Sequence, residues 1–273
     1  MKGKIMRLRI LVRGSNDIGS AAAHRLFQAN YAVVIHDAFL PTVTRRKMAF
    51  TDAIFDGKAE LEGVQAVRWD DLTTLSDALA SPQFIPVFVG EFNHLLETIQ
   101  PEVLIDARMR KHQQPETQRG LAPLTIGLGP NFVAGETTDL VVETSWGEAM
   151  GKVIEQGPTR PLKGEPREIG GHARERYVYA PDAGTFYTDH QIGDRVEQGQ
   201  VIARINAAIL HAPLTGILRG LTHTDVLVSA HAKVIEIDPR SDSAQVEGIA
   251  ERPARIADGV LSAVQTWEKA NAA

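Results

Sequence analysis

Residues 8–37 limit the possible folds of this chain more than any other part of the sequence. A short apolar run at 10–12 is followed by a glycine turn, an alanine-rich stretch and a second apolar run at 32–35. The alanine-rich stretch places apolar side chains on one helical face: Ile18, Ala22, Leu26 and Ala29. This order of strand, turn, helix and strand is typical of a mononucleotide-binding βαβ unit.

The turn between the first strand and the helix reads Gly14-Ser15-Asn16-Asp17-Ile18-Gly19. It matches the dinucleotide fingerprint GxGxxG except at Asn16, where a glycine normally lets a pyrophosphate approach the backbone. The start of the helix offers N–H groups to an anion, although the carboxylate of Asp17 would repel one. Asp37 stands where such units place an acid for a ribose. The turn therefore predicts a nucleotide-like ligand, with a plain scaffold turn as the alternative.

Further apolar runs predict strands at 85–89 and 103–107 and helices at 72–80 and 92–99. This alternation favours a parallel sheet covered on both faces. Residues 157–176 are rich in glycine, proline and charge and are read as a linker or mobile loop. The tail is predicted to form a helix that packs on the body through Ile256, Val260, Leu261, Val264 and Trp267.

Residues 177–240 are predicted to be all-β and contain an internal repeat. The pattern Ala-Pro-x-x-Gly occurs at 180–184 and again at 212–216, and apolar positions match at the same offset. The first copy resembles biotinyl or lipoyl domains of the barrel-sandwich-hybrid type, but the carrier lysine is missing between the copies. A lipoylated or biotinylated arm is therefore excluded, and a docking or structural module is expected.

The predicted fold class is α/β. An N-terminal Rossmann-like parallel sheet is followed by a small all-β module of the barrel-sandwich-hybrid type and a C-terminal helix. The predicted domains are a Rossmann-like domain at 1–115, connecting strands and a loop at 116–172, the β-module at 173–240 and the helical tail at 241–273.

The composition of the chain excludes several classes of binding partner and types of site. The net charge of -5 argues against a general nucleic-acid or anionic-membrane binder. The chain contains no cysteine, so it has no thiolate metal site and no persulfide carrier of its own. Its nine histidines show no metal-ligand spacing, and no metal site is predicted. The basic N-terminus lacks the apolar length of a signal peptide or a spanning helix, so a cytoplasmic protein is expected.

Several side chains near the predicted carboxyl ends of the strands are candidates for a site. Arg45 and Arg46 could clamp a phosphate there. Asp106, at a strand end, and Glu143, in an apolar run whose burial would raise its pKa, are candidate catalytic acids, each with a structural role as the alternative. The loop Gly127-Leu128-Gly129-Pro130-Asn131-Phe132 supplies a flexible backbone that could wall a pocket.

Four segments together resemble a known family: RGSNDIGSAAAHRL, PTVTRRKMAFTDAIFDG, GLGPNFVAGETTDLVVET and the repeat from APDAGTF to IDPR. In this order and spacing they are similar to the selenium-dependent molybdenum hydroxylase system proteins (the YqeB family), which are grouped with xanthine dehydrogenase accessory proteins. The resemblance covers nearly the whole chain. Three departures are Asn16 and Asn131, each in place of a glycine, and Trp146-Gly147-Glu148 in place of an Arg-Gly-His-like run.

The resemblance implies an accessory role in the maturation of xanthine-dehydrogenase-like hydroxylases. The ligand would be the molybdenum cofactor or its nucleotide form, and the partners would be the hydroxylase apoenzyme and a separate sulfur or selenium donor. The positions that it marks are Arg13, Gly14, Asp17, Arg45, Arg46, Gly127, Gly129, Pro130, Glu143 and Thr144.

Two other hypotheses stay open at this point. The first is an NAD(P)-dependent oxidoreductase, which the Rossmann order and Asp37 favour and Asn16 opposes. The second is a non-catalytic assembly scaffold with a vestigial turn. The sequence favours a cofactor-binding maturation factor over an enzyme and leaves open whether identical chains associate.

Overall fold

The computed structural model describes residues 7–111, 113–162, 164, 166–240 and 244–271. The chain divides into two compact units that alternate along the sequence. The first unit is made of Met1–Phe39, Ala49–Leu162 and Ile249–Ala273, and the second of Leu40–Met48 and Lys163–Gly248.

The first unit is built on a nine-stranded sheet in the described part of the chain. Its strands are β1 (Arg9–Arg13), β2 (Ala32–Asp37), β3 (Lys58–Leu61), β4 (Val64–Arg68), β5 (Ile85–Val89), β6 (Val103–Asp106), β7 (Leu124–Leu128), β9 (Leu140–Val142) and β10 (Val153–Ile154). They lie in the order β10-β9-β7-β6-β1-β2-β5-β4-β3. A small separate pair is formed by β8 (Val133–Ala134) and β11 (Gly157–Pro158).

The prediction of a purely parallel sheet is wrong, because both edge strands run antiparallel to their neighbours. At one edge, β3 and β4 are joined by the two-residue turn Glu62-Gly63, whose φ angles are +46° and +79°. Two consecutive left-handed residues are the geometry of a tight hairpin turn, which reverses the chain where the prediction expected further βα alternation. At the other edge, β10 returns alongside β9.

Helices cover both faces of this sheet. They are α1 (Asp17–Gln28), α2 (Asp52–Asp56), α3 (Leu72–Ala80), α4 (Phe92–Ile99) and α5 (Glu251–Asn271). Strand residues Ile10 and Val12 pack in one core with Ile18 of α1 and Val260 of α5. Leu11 points the other way, into a core that it shares with α3 and α4. Alternate residues of β1 are thus buried on opposite faces, as expected for a central parallel strand.

Two glycines bring α5 against the loop that joins β9 and β10. A Cβ atom built on Gly259 would overlap the carbonyl oxygen of Gly151, and one built on Gly151 would overlap the carbonyl oxygen of Arg255. Gly151 also has a φ angle of +81°, which disfavours any residue with a side chain. The loop and the helix therefore touch backbone to backbone.

The second unit contains two four-stranded antiparallel sheets. Its strands are β12 (Tyr177–Tyr179), β13 (Gly184–Tyr187), β14 (Arg195–Val196), β15 (Val201–Ile205), β16 (Ala208–His211), β17 (Gly216–Leu221), β18 (Leu227–Val228) and β19 (Lys233–Asp238). The sheet orders are β12-β19-β17-β14 and β16-β15-β13-β18. Short 3₁₀ turns lie at Arg46–Met48 and Arg174–Arg176.

The expected barrel-sandwich-hybrid architecture is wrong in that the described strands form two separate sheets without barrel closure. The repeat appears in the pairing itself. In the first copy β13 is followed by β14 and β15, and in the second β17 is followed by β18 and β19. The short middle strands are exchanged, because β14 pairs with β17 and β18 pairs with β13. Each sheet therefore contains strands from both copies.

Candidate functional site

The candidate site is a cleft at the edge of the first unit where the parallel strands β1, β2, β5 and β6 end. It consists of two hollows of about 330 and 430 Å³ that share Arg13 and Glu91. The first is also lined by Phe92, Asn93, Glu116, Gln118 and Leu121. The second is also lined by His36, Asp37, Ala38, Phe39, Val89, Gly90 and Arg108. Ligands of open α/β sheets bind at this edge.

Arg13 is the central cation of the cleft. It ends β1 and is only 7% exposed. Its Nη1 donates to Gln118 Oε1 at 2.7 Å and to Glu116 Oε1 at 3.1 Å, and its guanidinium carbon lies 3.7 Å from the centroid of the Phe92 ring. Its buried Nε has no hydrogen-bond partner among the described residues. Burial and the nearby Arg108 both lower the pKa of Arg13.

Ion pairs support the floor of the cleft. Arg108 binds both oxygens of Asp106, and its Nη2 lies 2.5 Å from Glu116 Oε1. Arg110 pairs with the same two acids. Burial alone would raise the pKa of Glu116, but hydrogen bonds and charge from Arg108 and Arg110 hold it well below its usual range. Asp106, a predicted catalytic acid, is thus a buried partner of two arginines and does not line the cleft.

The turn at Gly14–Gly19 does not present a phosphate cradle. Asn16 caps α1, because its Oδ1 accepts from the amides of Ile18 and Gly19 at 3.0 and 3.2 Å. Its Nδ2 donates to the Ala107 carbonyl at 2.7 Å. The amide and hydroxyl of Ser15 both donate to Asp37 Oδ2 at 2.6 Å. The N–H groups predicted to hold phosphate are therefore occupied by Asn16 and Asp37, which corrects the expectation of nucleotide binding here.

Gly14 itself is required by the backbone. Its φ angle is +108°, and a Cβ atom there would lie 3.1 Å from the carbonyl group of Ala107. Its amide donates to the His36 carbonyl at 2.8 Å. The turn thus joins the ends of β1, β2 and β6, which is a structural role.

His36 lies in the second hollow and was not singled out from the sequence. Its ring contacts the rings of Phe88 and Phe92, with centroids 6.3 and 5.5 Å away. Its Nε2 lies 2.9 Å from the Gly90 carbonyl oxygen. A carbonyl only accepts, so Nε2 carries the proton and Nδ1 the lone pair. Burial, and then the charges of Arg13 and Arg108, lower the pKa of His36 and favour the neutral ring.

Arg45 and Arg46 lie in the second unit, so the prediction that they sit at the strand edge of the Rossmann-like sheet is wrong. Arg45 binds both oxygens of Glu236, at 3.1 and 3.0 Å. Arg46 Nε donates to the Leu221 carbonyl at 2.9 Å. The physical reason is Glu236 on β19, a fully buried carboxylate that attracts Arg45 to that sheet.

Glu236 holds three further cations besides Arg45. Arg176 and Arg219 approach its Oε1 at 3.3 and 3.2 Å, and Lys233 approaches its Oε2 at 3.0 Å. Burial alone would raise the pKa of Glu236, but the charges of Lys233 and Arg45 and the other cations hold it well below its usual range. The carboxylate of Glu236 therefore has a structural role, because it neutralises four cations within the second unit.

Glu143 is also structural, and the expected rise of its pKa is wrong. Burial by itself raises the pKa, but the amides of Arg160 and Ser145 each donate to the carboxylate at 2.8 Å and bring the pKa below its ordinary value. The neighbouring predicted residue, Thr144, is buried and its carbonyl accepts from Arg252 Nε at 2.8 Å.

The predicted pocket wall at Gly127–Phe132 does not line the cleft. The Phe132 ring packs directly on Gly127, where a side chain would overlap it. Gly129, before Pro130, has a φ angle of +114° and lies against Met109. Asn131 adopts a φ angle of +73°, which explains how asparagine replaces the expected glycine. Its Nδ2 donates to the carbonyls of Lys111 and Gln113.

Of the predicted site residues, Arg13 and Asp37 line the cleft. Sequence reasoning missed His36, Glu91, Arg108 and Glu116. A usable signal existed for the first three, since each lies within two residues of the end of a predicted strand. Among the described residues, no group of three or more histidines, aspartates or glutamates is placed to hold a metal ion. The described helices also include none with the length and apolar character needed to cross a membrane.

Comparison with known proteins returns one curated relative and several solved structures. No model of a known protein family matches the chain. The "Uncharacterized protein YqeB" of Escherichia coli (strain K12) is 37% identical over 255 residues, which cover 93% of this chain and 47% of that protein. The chain thus spans about half the length of its curated relative, whose name states no activity.

The solved structures are named for other proteins. A succinylglutamate desuccinylase from Silicibacter sp. TM1040 is 12% identical and covers 85% of this chain and 84% of its own, with a TM-score of 0.25. A succinylglutamate desuccinylase/aspartoacylase from Rhodobacter sphaeroides is 15% identical and covers 86% and 87%, with a TM-score of 0.27. TM-scores this low assign neither a fold nor an activity to the chain.

These findings correct the functional expectations. None of these proteins is named as a molybdenum hydroxylase accessory protein, an NAD(P)-dependent oxidoreductase or an assembly scaffold. The interpretation as a molybdenum hydroxylase maturation factor is therefore withdrawn. The preference against an enzyme is withdrawn as well, because the name of the curated relative states no activity and the other named proteins are desuccinylases and aspartoacylases, whose low TM-scores decide nothing in either direction. The cofactors and partners implied by the resemblance stay predictions.

Proposed function

We propose that the first unit binds a small organic carboxylate in the cleft. The observation that supports this most is the buried Nε of Arg13, which has no partner among the described residues although Nη1 of the same guanidinium is anchored by Gln118 and Glu116. A buried donor without a partner is costly, and a ligand carboxylate would satisfy it. The rings of Phe92 and the exposed Phe39 supply apolar surface for the rest of the molecule.

A carboxylate suits this cleft better than a phosphate. The amides at the start of α1, which would bind a phosphate, are taken by Asn16. The acids Asp37, Glu91 and Glu116 also line the cleft and would repel a doubly charged group. A singly charged, flat carboxylate matches the donor edge of one guanidinium.

Arg13→Met tests this function with 3-phenylpropionate as the probe. The change keeps an apolar stem on Phe92 and removes the guanidinium, so a charge-assisted hydrogen bond worth about 1.5–3 kcal/mol is lost. Titration calorimetry should show binding to the wild-type protein that weakens at least about tenfold in the variant. The neutral 3-phenylpropionamide should bind both proteins equally weakly.

Arg119→Met is the matched control, because Arg119 pairs with Asp139 outside the cleft. It should bind 3-phenylpropionate as the wild-type protein does. Equal affinity of the Arg13→Met and wild-type proteins for the probe, or no saturable binding to the wild-type protein, would show that the cleft is not a carboxylate site.

A second candidate function in the same cleft is acid–base catalysis by His36. The Gly90 carbonyl fixes its tautomer, which leaves the Nδ1 lone pair free to take a proton from a bound molecule. A base that is neutral near pH 7 needs a pKa at or below its usual value, and burial supplies that shift.

Nitrogen-15 NMR of the imidazole rings tests the state of His36. We expect a neutral ring at pH 7 with the proton on Nε2 and a pKa below about 6.5. The pKa should rise in Arg13→Met, because the charge of Arg13 lowers it, and should stay unchanged in Arg119→Met. A proton on Nδ1, or a cationic ring at pH 7, would contradict the proposed base.

A further inference from the structure

The charges that line the cleft do not match a simple anion. Two arginines, Arg13 and Arg108, face three acids, Asp37, Glu91 and Glu116. A ligand that carried only a carboxylate would thus enter a site with one more negative than positive side chain. A ligand that carried only a cation would leave Arg13 Nε without a partner.

The partners of the three acids show which of them is available. Asp37 accepts from Ser15 and from the Ala38 amide. Glu116 is bound by Arg13, Arg108 and Arg110. Glu91 has no side-chain hydrogen bond or ion pair with the described residues, and although it stands at the N-cap of α4 its carboxylate does not cap that helix.

Glu91 and Arg13 are also the two residues that line both hollows. One offers an unengaged carboxylate and the other an unengaged, buried N–H donor. We infer that the ligand of the cleft is a small zwitterion of the α-amino acid type, with its carboxylate on Arg13 and its ammonium on Glu91. This inference rests on the proposed function and adds the class of ligand.

The two hollows together give room for such a molecule. Pockets for small ligands commonly measure about 300–1,000 Å³, and these two fall at the lower end of that range. The aromatic rings of Phe39, Phe92 and His36 line the same space, so an amino acid with an apolar or aromatic side chain fits the lining.

Three probes test the contributions of the ligand's carboxylate and ammonium separately. Phenylalanine carries both groups, 3-phenylpropionate lacks the ammonium, and 2-phenylethylamine lacks the carboxylate. By titration calorimetry at pH 7, phenylalanine should bind the wild-type protein about two- to fivefold more tightly than 3-phenylpropionate, as expected for an exposed ion pair. The amine alone should bind most weakly, because it leaves Arg13 Nε without a partner.

Glu91→Gln should bind phenylalanine no more tightly than 3-phenylpropionate. Its affinity for 3-phenylpropionate should equal or slightly exceed that of the wild-type protein. Glu97→Gln is the matched control, since Glu97 is an exposed acid of the same helix and does not line the cleft. It should retain the advantage of phenylalanine. The variants change one surface carboxyl each, so circular dichroism should show an unchanged fold.

The outcomes distinguish the inference from the proposed function. Suppose that 3-phenylpropionate binds in an Arg13-dependent manner but phenylalanine binds no more tightly, or is favoured to the same extent in Glu91→Gln. The inference of a zwitterionic ligand is then wrong and the proposed carboxylate site stands. If neither 3-phenylpropionate nor phenylalanine binds, both are wrong.

Discussion

Replacing Glu236 by glutamine is expected to destabilise the second unit by about 3–5 kcal/mol. The change keeps the size of the side chain but removes the negative charge between Arg45, Arg176, Arg219 and Lys233. Glu236, Arg176 and Arg219 are at most 7% exposed, so solvent cannot replace the lost charge. Urea denaturation measures the loss, and hydrogen exchange should locate it on β17 and β19.

Glu247→Gln provides the control for this prediction. Glu247 pairs with Lys47, but both side chains are largely exposed, and the change should stay within about 0.5 kcal/mol. A loss of less than about 1 kcal/mol in Glu236→Gln would mean that the cations are neutralised in another way, and the structural role assigned to the carboxylate would be wrong.

The same carboxylate predicts a pH dependence. Its pKa in the folded protein lies below the ordinary value, so it stabilises the fold above about pH 4.5 and this contribution is lost as the pH falls below that value. The wild-type protein should therefore lose stability toward acid more steeply than Glu236→Gln does. Denaturation at pH 7 and at pH 4 makes the comparison.

Replacing Gly259 by alanine should destabilise the first unit by about 1–3 kcal/mol, opposite in sign to helix propensity. Alanine favours a helix by about 1 kcal/mol over glycine, so a helix free of contacts would gain stability. Here the new Cβ atom overlaps the Gly151 carbonyl, and neither backbone can yield without moving α5.

Ser262→Ala, at an exposed position of the same helix, is the control and should be neutral or slightly stabilising. Thermal or urea unfolding of both variants is the measurement. A stabilised Gly259→Ala protein would show that α5 does not touch the Gly151 loop backbone to backbone.

The sequence predicted those parts of the fold that depend on neighbouring residues. The apolar runs placed β1, β2, β5 and β6, and the 3.6-residue spacing placed α1. The antiparallel β3–β4 edge was missed because Glu62 adopts a left-handed conformation that its residue type does not signal. Two-residue hairpin turns are usually predicted from an Asn-Gly or Asp-Gly pair, whereas this turn is formed by Glu62-Gly63.

The errors at the site have a common physical cause. Arg45 was assigned by its nearness to a predicted strand end, but its partner Glu236 lies 191 residues away along the chain. Glu143 was predicted to have a raised pKa, but the amide of Arg160, 17 residues away along the chain, donates to its carboxylate and lowers that pKa. The pairing and the pKa of a charged side chain depend on its distances in space to other groups, and a single sequence does not show those distances.

The division of the chain into alternating segments has a consequence for its synthesis. The segment Leu40–Met48 leaves the ribosome long before β17 and β19, which carry its partners Leu221 and Glu236. The first unit likewise lacks α5 until Glu251–Asn271 has been made. Neither unit can complete its core before its later segment is made, so we expect each unit to fold only after that segment has been synthesised. For the same reason, neither unit can be produced whole as one uninterrupted fragment.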